Sequence, residues 1–238
     1  MADFWAGRGV IITGAAAGIG RAAAERLHAR GAKLALIDQD ADGVEAAART
    51  LGAAWAAGDT SLIDVAHRDM TRAAEALGSV DAVLHTPHLP AVGRFAAVSL
   101  HQHHRTVFST LGSALNIAHS AFPHLRKTGG MLVLVTGDPA PDAGHAAYDA
   151  AYAGVIALGR ALAAEWAGEG VAVGTAHAPL APQPDTAVQL ADRVIAAVET
   201  REPLIWAGGR PPLATWLTRL GLPADSVLTR ALWARTRG

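Results

Sequence analysis

The run Thr13-Gly14-Ala15-Ala16-Ala17-Gly18-Ile19-Gly20 has the composition of a phosphate cradle. Gly14 can take the positive φ of a tight turn. Gly18 removes a Cβ where a pyrophosphate must approach backbone N–H groups, and Gly20 lets a following helix lie close to a sheet. Ala17 and Ile19 complete the start of that helix, whose N–H groups carry partial positive charge. Asp38 stands 18 residues beyond Gly20. A carboxylate there can accept hydrogen bonds from both ribose hydroxyls and repels a 2′-phosphate. The group expected is a dinucleotide.

Other residues could move protons. Tyr148 and Tyr152 stand one helical turn apart. A free phenol titrates near ~10, so at neutral pH it is an acid and not a base. His85, His88 and His145 are expected near the ligand-binding edge of the fold. Imidazole titrates near ~6.5 and can serve as acid or base. The plainer readings are packing against adenine or loop backbone for His85 and His88, and a solvated loop for His145. His101-x-His103-His104 has the look of a metal cluster, but it lacks a carboxylate at useful spacing and opens a helix, so no metal is expected.

The elements that must position these residues alternate short apolar runs with helical patterns. Strands are expected at 9–13, 33–37, 80–84, 131–135, 171–175 and 204–207. Helices are expected at about 19–30, 42–51, 100–125 and 148–168. Short strands without polar alternation suit a parallel sheet covered on both faces. The fold class is α/β, a doubly wound three-layer sandwich in one domain spanning 1–238. Residues 207–238 read as an amphipathic helical tail, with Leu213, Leu217, Leu220 and Leu228 on its apolar stripe. Trp216 and Trp233 of that tail are expected to pack against the body.

Composition narrows the class. Of 238 residues, 51% are hydrophobic and 17% charged, which excludes disorder. A net charge of -1 gives no footprint for nucleic acid. The absence of cysteine excludes disulfide and thiolate chemistry. No apolar run reaches the ~18–20 residues of a membrane helix, and the first residues lack a signal-peptide pattern, so a cytoplasmic location is expected.

The sequence resembles the short-chain dehydrogenase/reductase family. Thr13, Gly14, Gly18 and Gly20 match its Thr-Gly-x-x-x-Gly-x-Gly motif. The resemblance runs from about Ala6 to Trp206 and implies a seven-stranded parallel sheet with three helices on each face. It implies NAD as cofactor through Asp38, with Asp59 of Gly58-Asp59-Thr60 at the adenine. His85 and Thr86 begin the segment where the family carries Asn-Asn-Ala-Gly, and Pro179 matches the proline after the sixth strand. The lid beyond it is cut to about 181–185. Tyr148 matches the catalytic tyrosine. Tyr152 stands where the family requires lysine, Ser109 where it has asparagine, and Thr136 or Gly137 where it has serine. Only Lys33 and Lys127 exist in the chain, and neither is an obvious substitute, nor is Arg160.

Three functions fit these residues. The first is an NAD(H)-dependent oxidoreductase acting on a carbonyl or alcohol through Tyr148. The second is a catalytically degenerate dinucleotide-binding subunit or scaffold. The third is a non-redox enzyme, such as a cyclase, dehydratase or isomerase, using Tyr148, Tyr152 and a nearby histidine. The expected partners are a small-molecule substrate and further copies of the chain as homodimer or homotetramer, or a related subunit. The apolar residues Tyr152, Val155, Ile156, Leu158, Leu162 and Trp166 place the Tyr148 helix at that contact.

Overall fold

A computed structural model describes residues 3–86, 93–137, 144–178 and 184–206. His88, Pro179, most of the shortened lid and the tail at 207–238 lie outside these.

Seven strands pair in parallel in the order β3-β2-β1-β4-β5-β6-β7. They are β1 (Gly9–Thr13), β2 (Lys33–Asp38), β3 (Ala54–Ala57), β4 (Ala82–His85), β5 (Met131–Gly137), β6 (Ala172–Ala178) and β7 (Leu204–Trp206). The helices are α1 (Gly18–Ala29), α2 (Ala41–Leu51), α3 (Ile63–Leu77), α4 (Leu100–Val107), α5 (Ser113–Thr128), α6 (Ala146–Trp166) and α7 (Pro184–Thr200).

Strand alternation deals the apolar residues to two layers. Val10, Ile12, Leu34, Leu36, Val133 and Val135 pack with α1, α2 and α7. Ile11, Ile37, Val83, Leu132 and Leu134 pack with α3, α5 and α6. Both faces are covered, as uniformly apolar strands require. Because every strand runs the same way, Thr13, Asp38, His85 and Gly137 all finish at one edge of the sheet. The strand order reverses between β1 and β4, which opens the crevice where ligands bind in such sheets.

The long helix expected over 100–125 is interrupted. A π-helical turn, Phe108–Gly112, separates α4 from α5. Apolar periodicity runs through such a turn unbroken, so hydrophobic spacing alone does not show it. Across from it, Gly154 of α6 comes so close that a Cβ there would lie 2.7 Å from Leu111 Cδ2. The glycine lets α6 press onto the turn. Among the described residues, no helix is long and apolar enough to cross a membrane.

Candidate active site

The turn after β1 is shaped by Thr86. Gly14 has φ +70°, and a Cβ there would overlap the Thr86 carbonyl oxygen. A Cβ on Gly20 would overlap the Gly14 carbonyl and come within 2.7 Å of Thr86 Oγ1. Thr86 is itself buried, and its hydroxyl donates to the Thr13 carbonyl at 2.7 Å. Its side chain therefore holds the cradle from below. Gly18, at φ +56°, faces open space instead. Ala17 precedes the first turn of α1 in extended conformation, and no side chain caps that end. Its N–H groups thus keep capacity for an anionic ligand. Ile19 packs partly against the core.

Asp38 is fixed beside this turn. Its Oδ2 accepts from the Ala16 N–H at 2.9 Å and its Oδ1 from the Asp40 N–H at 3.0 Å. A carboxylate offers about four acceptor sites, so two remain for hydroxyl donors. On the neighbouring strand end, the Gly58 N–H donates to the Asp38 carbonyl at 2.8 Å. Exposed Asp59 follows, its Oδ1 accepting from the Ser61 N–H at 2.9 Å.

His85 is sealed beneath the cradle and does not line it. Its Nδ1 lies 2.6 Å from Thr13 Oγ1 and its Nε2 3.1 Å from Ser113 Oγ. Ser113 Oγ donates its one proton to the Ser109 carbonyl at 2.6 Å or that of Thr110 at 3.1 Å. It must then accept from His85 Nε2–H, and Nδ1 accepts from the Thr13 hydroxyl; this tautomer follows from the network. Burial lowers the His85 pKa to about 3. The ring is neutral at physiological pH, which removes His85 as a general acid. His103 is also accounted for, since its ring stacks on Phe95 at 4.3 Å and its Nε2 meets the Phe95 carbonyl at 2.9 Å.

The two tyrosines meet at the end of β5. Tyr148, in the first turn of α6, and Tyr152, one turn on, are both buried, with ring centroids 4.0 Å apart at 54°. A Cβ on Gly137 would overlap the Tyr148 hydroxyl and come within 2.5 Å of the Tyr152 hydroxyl. Gly137, and not Thr136, is therefore the strand residue beside the phenols. Thr136 follows Leu132 and Leu134 in the alternation of the strand, and its buried Oγ1 has no hydrogen-bond partner among the described residues. The pairing of β5 with β6 also holds a group sequence reasoning passed over. His177 lies in register with Thr136, and burial lowers its pKa to about 4. A histidine in a buried and mostly apolar strand was the available signal.

The remaining candidates sit further out. Ser109 lies on the π turn, with its hydroxyl donating to the Thr106 carbonyl at 3.3 Å. The partly exposed His145 ring presents an edge to Tyr148 at 6.4 Å. Lys33 opens β2 at the opposite sheet edge, Lys127 is in the last turn of α5, and both are exposed, as is Arg160. Tyr152, Val155 and Trp166 face the interior of the protomer, which leaves less of α6 for a partner than apolar count alone suggests.

Residues 8–188 match the family model of the short chain dehydrogenases. A D-threitol dehydrogenase of Mycolicibacterium smegmatis is 29% identical over 177 residues, covering 71% of this chain and 68% of the relative. A meso-2,3-butanediol dehydrogenase of Serratia marcescens is 33% identical over 169 residues, 69% of this chain and 67% of the relative. Among solved structures, a 3-ketoacyl-(acyl-carrier-protein) reductase from Brucella melitensis, complexed with NADH, superposes with a TM-score of 0.79. It is 21% identical, and the match covers 87% of this chain and 99% of that one.

Proposed function

The chain belongs to the short-chain dehydrogenase family, and on that premise we propose that it is an NAD(H)-dependent oxidoreductase that reduces a carbonyl group, with Tyr148 as proton donor. The observation that carries this reading is the placement of the Tyr148 hydroxyl at the end of β5, on the sheet edge that also carries the Gly14–Gly20 cradle. The nicotinamide, when bound, supplies the hydride to the carbonyl carbon. The Tyr148 hydroxyl gives its proton to the carbonyl oxygen, and solvent restores it. The N–H groups at the start of α1 would face the pyrophosphate, Asp38 the ribose hydroxyls and Asp59 the adenine. A 2′-phosphate beside Asp38 meets like charge, which favours NAD(H) over NADP(H).

The missing lysine sets the direction. A lysine four residues after the tyrosine would stabilise tyrosinate by its charge, whereas Tyr152 brings a hydroxyl and no charge. Reduction needs the phenol, abundant at neutral pH; oxidation needs the phenolate, which is scarce. The two relatives, a D-threitol dehydrogenase and a meso-2,3-butanediol dehydrogenase, support a small hydroxylated carbonyl compound as substrate class. A second reading, an NAD(H)-binding scaffold subunit, is favoured by an intact cradle beside an active site without the family's serine and lysine. Exposed Leu100, Phe108 and Leu115 on α4, the π turn and α5 support self-association. Fluorescence titration with NADH, followed by a screen of small hydroxyketones for NADH consumption, separates the readings. A scaffold binds NADH and consumes none.

A further inference from the structure

Tyr152 and Gly137 fit one another at the end of β5. With any side chain at 137, the strand end would be filled and the phenols displaced. Without one, the two hydroxyls stand in that space themselves and so come close to one another. The rings share one face of α6 at i and i+4, with centroids 4.0 Å apart. They are buried, so charge appearing between them is poorly screened by water. Tyr148 also stands in the first turn of α6, where the helix dipole favours negative charge.

We propose that Tyr148 and Tyr152, whose hydroxyls converge where a side chain at 137 would stand, form a paired-phenol site for one substrate oxygen at the end of β5. Tyr152 is then the second hydrogen-bond donor to a carbonyl oxygen that gains negative charge, as in reduction or enolisation. This rests on the reductase reading for the substrate, but the phenol pair itself does not depend on it. Two donors aimed at one developing oxyanion stabilise it without a nearby cation. The site takes ketones and aldehydes whose oxygen is unhindered on both lone-pair sides, because each phenol needs one of them.

The ionisable groups of the elements around α6 act on each phenol separately. They are His145 and Asp149 at its own start, His101, His103, His104 and Arg105 on α4, and His177 on β6. The described residues of β5 and the π turn bring none. These charges persist when either phenol is removed. Sharing between the phenols does not.

The chain has only two tyrosines, so tyrosinate absorbance near 295 nm reads this pair alone. A pH titration of the wild type and of Tyr152→Phe, with circular dichroism to follow folding, needs neither cofactor nor substrate. Coupled phenols lose their protons in two macroscopic steps, the first eased by the hydrogen bond that the remaining phenol gives the phenolate and the second opposed by its charge. The expected separation is at least about one pH unit. In Tyr152→Phe a single step remains, displaced upward from the first wild-type step. Tyr148→Phe gives the mirror result. Should alkaline unfolding precede the second step, the upward displacement of the first decides alone. A wild-type transition without splitting, matched in midpoint by both variants, overturns the paired site. Carbonyl reduction by such a protein would leave the reductase reading standing; split phenols in a protein that reduces no carbonyl would do the reverse.

Discussion

His85 Nδ1 lies 2.6 Å from Thr13 Oγ1, across the pairing of β1 with β4. Through Ser113 the same ring reaches the carbonyl of Ser109 on the π turn. One neutral imidazole thereby ties the strand that ends in the cofactor cradle to the helix packed against the tyrosine helix.

That tie is sensitive to acid. His85 titrates at about 3 in the folded protein and near ~6.5 when unfolded. Between those values the unfolded chain binds a proton that the folded one refuses. Stability is therefore full above about pH 6.5 and falls as pH drops towards 3, by up to ~1.4 kcal/mol per pH unit for this group. His177, at about 4, steepens the fall over the upper part of that range. Urea midpoints at pH 7, 5.5 and 4.5 should decline in the wild type. His85→Asn should be less stable at pH 7 by about 1–3 kcal/mol, from hydroxyls left unpaired, yet show a shallower decline. Parallel profiles would mean that His85 does not titrate on unfolding.

Cofactor choice should follow Asp38. The wild type should bind NADH well ahead of NADPH in fluorescence titrations. Asp38→Ala should narrow the gap from both sides, weakening NADH by the lost hydroxyl contacts and relieving the repulsion of NADPH. Equal or tighter NADPH binding by the wild type removes the assignment.

Gly137 should tolerate no side chain. Gly137→Ala forces the Cβ against both tyrosine hydroxyls, and overpacking of this kind costs about 1–3 kcal/mol. The melting temperature should drop while NADH affinity, set at the other side of the crevice, stays within about two-fold. A variant as stable as the wild type would show that the tyrosines do not close on the strand end.

Much of the fold was legible because its signals are local. The apolar runs at Val10–Ile12, Leu34–Ile37 and Leu132–Val135 cannot sit at a surface, and the glycine spacing from Gly14 to Gly20 admits few alternatives. Edge strand β3 left no such mark, since Ala54, Trp55, Ala56 and Ala57 are only partly covered or exposed. The π turn was hidden for the reason given above. At the site, Tyr148 and Tyr152 were visible through their spacing. The choice between Thr136 and Gly137 was not, because it depends on where a helix from elsewhere in the chain sets its phenols at the strand end. His85 and Thr86 were expected at the cofactor. Their role beneath the cradle, as partners of Thr13 and Gly14, is a tertiary relationship that no spacing encodes.

Tyr148 is the proposed proton donor in carbonyl reduction. The most direct test is the initial rate of NADH consumption at pH 7 with a small hydroxyketone that the wild type accepts, compared between wild type and Tyr148→Phe at saturating NADH. Loss of a general acid slows such a step by about 10²–10⁴-fold, and that fall in kcat is predicted with NADH affinity unchanged. Equal rates in the two proteins would remove Tyr148 as the acid.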